Sequence, residues 1–198
     1  ADAGNTPGGF REMTIFPGVE ISANGGAHVL AIFDPGATTS DIDSLLGRVE
    51  YRGTKGDSDA ETGLSVEKVI DAVILAGAIP IPAHADADKG LLRVNAGTRQ
   101  CALSASTVKQ ALEVEGLLAI EWCGLTNPCP EAADKLVRPL ARVLGSACHN
   151  FWGPNTPGSR YTWVKMASPT LEGLRLALLD GNGVSIRRSD DPAPFDPF

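Results

Sequence analysis

Histidine is the side chain most often recruited for metal binding and proton transfer near neutral pH. It occurs only three times in 198 residues, as His28, His84 and His149, which caps any imidazole site at three donors. Long apolar runs are also missing. The longest, Val69–Pro82, is interrupted by Asp71, Gly77 and Pro80, well short of the ~18 residues of a membrane span. No charged segment leads into an apolar one near Ala1, so a secretory leader pattern is absent. Positive charge is short too, with 17 Lys and Arg against 24 Asp and Glu, for a net charge of −7. That argues against a module that wraps nucleic acid through a general basic surface. An acidic surface is still compatible with a bound cation. Cys101, Cys123, Cys129 and Cys148 match no zinc-ligand spacing. A chain of this length folds without disulfides, and the four read as reduced thiols of a cytoplasmic protein.

What is present suffices for a core. Hydrophobic residues make up 43% of the chain, which excludes wholesale disorder. Gly 22 and Pro 14 exceed the usual combined share of ~12% and predict many turns and short elements. The first residue is Ala1 and the first methionine Met13, which reads as a processed chain or a piece of a longer one. Residues 1–12 read as a Gly/Pro-rich lead-in, 13–188 as the folded domain and 189–198 as a Pro- and Asp-rich tail.

The elements follow an α/β rhythm. Met13–Phe16 and Val19–Ser22 read as strand, and Ala27–Phe33 pairs with the second of them as a hairpin across residues 23–26. Ser40–Glu50 carries apolar residues at helical spacing with Ser40 as N-cap, and Ser65 starts a second helix that Gly77 stops. Ala78–Ala83 is a buried strand ending at His84. Ser106–Leu112 is helical and Leu117–Trp122 a strand. Pro130 and Pro169 open further helices, and strands follow at Arg142–Ala147, Tyr161–Met166 and Val184–Arg187. Trp163 is expected in the core. Trp152, in a loop, is either a loop anchor or a base-stacking residue.

His84 and His149 each lie at the end of an apolar strand, and His28 begins another, shortly after Glu20. Taken singly, each histidine reads equally as a hydrogen-bonded core residue. Together, three imidazoles and a carboxylate at strand ends suit zinc, manganese or iron. Asp86 and Asp88 beside His84 fit either an exposed loop or groups supporting the ligands. Arg160 fits either a surface ion pair or a phosphate clamp.

Several segments resemble the PHP (polymerase and histidinol phosphatase) superfamily: Phe16-Pro17-Gly18-Val19-Glu20-Ile21-Ser22 with Gly26-Ala27-His28-Val29-Leu30-Ala31, then Ile81-Pro82-Ala83-His84, then Gly145-Ser146-Ala147-Cys148-His149. Arg160–Met166 and Pro169–Leu174 are similar to the PHP domain of TrlF-type AAA-like ATPases. The resemblance spans Met13–Arg187. It implies a distorted, TIM-like (β/α)7 barrel and a metal-dependent phosphoesterase acting on a phosphate ester or nucleic acid. Glu20, His28, His84 and His149 would be the metal ligands, holding one or two ions of Mn, Zn or Fe. An ATPase domain in a longer chain would be a partner.

The sequence departs from the family pattern in three places. It has no His-x-His pair, no Asp-His, and Ala147 where the last motif carries aspartate. The implied barrel is therefore incomplete at its N-terminal side. Its exposed edge strands would pair with another copy or segment, giving a homo-oligomer. The departures also support an alternative: a degenerate, non-catalytic PHP module with a structural or regulatory role beside an ATPase. A barrel binding a small ligand is a third reading.

Overall fold

In the computed structural model the described residues are 13–57, 60–95, 97, 100–134, 140–148, 150–180 and 184–192. The expected lead-in and residues 193–198 of the expected tail lie outside them, as does His149. Seven strands and five helices alternate along the described chain: β1 Gly18–Ser22, β2 His28–Ile32, α1 Thr39–Arg48, α2 Val66–Leu75, β3 Ile79–Pro82, α3 Ala105–Leu112, β4 Ala119–Glu121, α4 Glu131–Asp134, β5 Ala141–Val143, β6 Thr162–Val164, α5 Leu171–Leu179 and β7 Ile186–Arg188.

The expected hairpin forms. β1 and β2 are antiparallel, with Glu20 opposite Leu30 and Ser22 opposite His28. The turn uses positive φ at Gly25 and Gly26, which a side chain would resist. β2 then pairs antiparallel with β3, β4 pairs parallel with β5, and β6 pairs antiparallel with β7. β3 lies beside β4, and β5 beside β7. The hydrogen-bonded ladders form three small sheets rather than a closed barrel among the described residues. No described helix is long and apolar enough to cross a membrane.

Side-chain alternation gives the strands two apolar faces. Ile21, Val29, Ala31, Ile120 and Trp122 belong to a core packed with α1, α2 and α3. Ile79, Ile81, Ala119, Ala141 and Ile186 pack on the other side with Leu171, Ala177 and Leu178 of α5. α2 is apolar over most of its surface, burying Val66, Val69, Ile70, Ala72 and Val73, as an element covered on several sides must.

Several boundaries differ from those read in the sequence. No strand forms at Met13–Phe16; Pro17 lacks an N–H, and its carbonyl instead accepts from Phe33. α1 is capped by Thr38 rather than Ser40, because Asp41 reaches back to accept the Thr38 N–H at 2.7 Å. α5 starts after Thr170, whose hydroxyl accepts from Gly173, and not at Pro169. β5 ends at Val143 because Gly145 turns its N–H to Glu121 and Ala147 takes φ 47°. Trp163 is 49% exposed, on the outer face of β6, and is not a core residue.

Arg188 ties β7 to β4. Its guanidinium is buried, donates to the Trp122 carbonyl, and forms a two-pronged pair with Asp190 at 2.8 and 2.7 Å. The fork holds the Asp190 carboxyl below its ordinary value. The contribution of the pair is therefore complete above the unfolded value of about 4 and is lost as pH falls through the lowered folded value. Arg188→Met should cost about 1–3 kcal/mol by stranding the Trp122 carbonyl. Urea unfolding checks this, and the variant should show a shallower loss of stability below about pH 4.

Candidate metal centre

Glu20 and His28 share one face on adjacent strands, since Ser22 sits opposite His28 and Glu20 lies diagonally across. His84 follows β3 directly. One donor atom from each of Glu20, His28 and His84 lies within 4.8 Å of the others. The two imidazoles meet edge to face, with centroids 5.1 Å apart.

His28 is the best-held of the three. Its side chain is 9% exposed, against 44% for Glu20, and its Nδ1 lies 2.8 Å from a Glu20 oxygen. That contact pairs Nδ1 with the carboxylate, while Nε2 is buried with no hydrogen-bond partner. A buried polar atom left in that state is costly unless something else satisfies it. Burial pushes His28 below its ordinary pKa; the Glu20 charge opposes this, and the His84 and Lys89 charges reinforce it. The ring is thus neutral at pH 7, the form that ligates. Two imidazoles and a carboxylate make a donor set that fits zinc, manganese or iron.

His84 occupies a strained backbone position, φ 33°. Three features hold it there. Its N–H donates to Glu121 Oε2 at 2.8 Å. The next residue, Ala85, donates to the Glu121 carbonyl and accepts from Leu92 N–H, both at 2.7 Å. The segment from Ala85 to Leu92 then folds back, and the Lys89 carbonyl accepts the His28 N–H at 3.1 Å. One loop therefore positions both histidines.

Glu121, which sequence reasoning passed over, ends β4 and is central to this rim. Its two oxygens accept from His84 N–H and from Gly145 N–H at 2.8 and 3.2 Å. The signal available was a lone carboxylate closing the apolar run Leu117–Ile120. Asp86 accepts from Cys123 N–H, Gly124 N–H and the Asn127 amide at 2.6, 2.9 and 2.6 Å, so it holds the loop after β4. Asp88 pairs with Arg93 at the surface. Arg160 is half-buried, and its Nε has no hydrogen-bond partner. Cys148 donates to the Asn150 carbonyl at 3.0 Å. All four cysteines are free, and burial pushes the Cys123 thiol up to about 11 with help from the Asp86 charge.

No family model and no curated protein matches the chain. Among solved structures it is similar to the lesion-specific endonuclease PfuEndoQ from Pyrococcus furiosus, with TM-score 0.57 and 18% identity over 84% of this chain. The match takes in 39% of the endonuclease chain, so this chain spans about two fifths of its length. A likeness at that identity speaks for the fold alone, and it supports a PHP-like fold.

Gly90 is where the histidine-bearing loop closes. A Cβ there would overlap the carbonyl oxygens of His84 and Ala85, whereas one at Gly47 in α1 would meet nothing within 4 Å. The same substitution should therefore have opposite signs. Gly90→Ala should destabilise by about 1–3 kcal/mol, and Gly47→Ala should stabilise by roughly 0.5–1 kcal/mol. Urea midpoints of the two variants check both.

Proposed function

We propose that the chain is a metal-dependent phosphoesterase domain of PHP type, with Glu20, His28 and His84 holding a divalent Mn, Zn or Fe ion. The observation that carries this reading is His28, whose buried Nε2 has no partner and which lies within reach of two further donors. His149 joins as a fourth ligand on sequence resemblance alone, and with four ligands the site holds one ion or at most two. Bound there, such an ion would supply Lewis acidity toward a phosphate ester and acidify water at neutral pH.

The protein's own residues do the rest. The Lys89 carbonyl and the Glu121 carboxylate fix the backbones of the two histidines. Burial keeps His28 unprotonated, and the half-exposed Glu20 faces solvent, where a substrate enters. Arg160, with a donor unspent, is proposed to meet a substrate phosphate. Asp86 and Asp88 are proposed to support the site indirectly, through the loops they hold.

The domain is proposed as the larger part of a barrel, spanning 13–188 between a lead-in and a tail. β1 ends its sheet, and a cavity of about 520 Å³ lies between it, α1 and the loop from Tyr51 to Ala60. Apart from the Ser22 carbonyl, which accepts from Thr62 N–H, no described residue pairs with that edge, and it suits a further strand from another copy or a longer chain. An ATPase domain in such a chain is proposed on the sequence resemblance alone.

One observation favours the alternative of a degenerate module. Ala147, with no ligating atom, stands where the resembled motif has aspartate, and it does so at φ 47°. A single experiment separates the two readings. Purified protein should bind Mn²⁺ or Zn²⁺ stoichiometrically, and His28→Ala and His84→Ala should weaken binding by more than the roughly 10–100-fold typical of supporting residues. Manganese-dependent hydrolysis of bis(p-nitrophenyl) phosphate should vanish in the same variants. Stoichiometric metal without turnover would favour the degenerate module, and no metal uptake would end the metal reading.

A further inference from the structure

The ribbon formed by β6 and β7 has an outer face that neither apolar core uses. Exposure alternates along it: Tyr161, Trp163 and Lys165 are exposed, while Thr162, Val164 and Met166 turn inward. Thr162 and Val164 have clear inward roles: the Thr162 hydroxyl accepts from the Leu144 N–H and donates to the Leu144 carbonyl, and Val164 packs on the inner core. Tyr161 and Trp163 are 42% and 49% exposed. Their rings stand edge to face, centroids 5.2 Å apart. Large aromatics held out in water at consecutive outward positions are unusual for a face with only a structural role.

The charges beside them have one dominant sign. Arg160, Lys165 and Arg187 lie beside these rings, whereas Arg188 is buried on the opposite face of the ribbon. Asp190 is taken by Arg188, and Asp191 is 3.8 Å from Arg187. Arg187 stands directly across from Trp163. On a chain of net charge −7 this is a local reversal.

The ribbon also leads to the rim of the candidate site. Thr162 is bonded to Leu144, and the next residue, Gly145, is bonded to Glu121, which holds His84. Arg160, immediately before Tyr161, exerts its charge on Cys123, two residues beyond Glu121. Its Nε is buried and unpartnered.

We propose that this face binds single-stranded nucleic acid, with bases stacking on Tyr161 and Trp163 and a backbone phosphate meeting Arg160 at the rim. Every base offers a π face, so stacking tolerates sequence, and flanking cations track the phosphates. A duplex hides those faces and fits the ribbon poorly. The inference deepens the phosphoesterase reading by naming the class of substrate delivered to it.

The test is fluorescence anisotropy of labelled oligothymidylate and oligouridylate at low salt, with EDTA present so that no metal or hydrolysis contributes. Wild type should bind either strand more tightly than a duplex of equal length. Trp163→Ala and Tyr161→Ala should each weaken binding by roughly 5–100-fold, the loss of about one stacked base. Trp163→Phe should retain most of it. Arg160→Gln should reduce the slope of log affinity against log salt by about one. Unchanged binding in Trp163→Ala, equal affinity for duplex, or no binding by wild type would each overturn the proposal. His28→Ala should bind the strand as wild type does. Its hydrolysis of the small diester reports on the metal reading alone, so the two can fail separately.

Discussion

The Glu121 carboxylate is the constraint on which the rest of the rim depends. It is one side chain at the end of β4, yet it accepts from the backbone of the segment after β3 and of the segment after β5. Backbone donors at strand ends have no ladder partner and must find one when half-buried. Supplying both from a single side chain fixes three strand ends relative to one another. Asp86 acts in the reverse direction, from the end of β3 onto the loop after β4. The two carboxylates thus cross-link the same pair of strand ends, where β3 and β4 share no ladder of their own.

That cross-link allows the backbone of His84 to sit at φ 33°. A non-glycine residue there costs of order 1–3 kcal/mol and persists only where its surroundings over-determine it. The bonds from His84 and Ala85 to Glu121 and the return of the loop onto His28 provide that determination. The strain carries the ring to His28 rather than onward along the strand direction.

Much of this was legible in the sequence, and what was not shares a cause. Strand alternation and glycine punctuation gave β1, β2, α2 and β3 nearly to the residue, since period and turn chemistry are local. Glu20, His28 and His84 could be named because each sits at the end of an apolar run. The partners of Glu121 lie 37 and 24 residues away, and no local pattern encodes that separation. Trp163 was misplaced because an aromatic in a β-branched run ordinarily faces a core. Its strand is one of a two-stranded ribbon with one covered face, and alternation alone does not say which face is covered.

The donor set is uneven in a way that bears on how the site works. His28 is almost fully enclosed and His84 is pinned through its backbone, while Glu20 lies on the edge strand with a side chain 44% exposed. Enclosed or pinned side chains have little freedom left to lose, whereas a half-exposed carboxylate keeps more of its own. The histidines therefore fix their side of the cluster, and Glu20 is the member able to adjust. The open edge of β1 and the cavity alongside it give that movement room on the side away from the core. Closure of the edge by a further strand would remove the room and stiffen Glu20. Completeness of the sheet and the freedom of Glu20 are therefore coupled through the same five residues of β1.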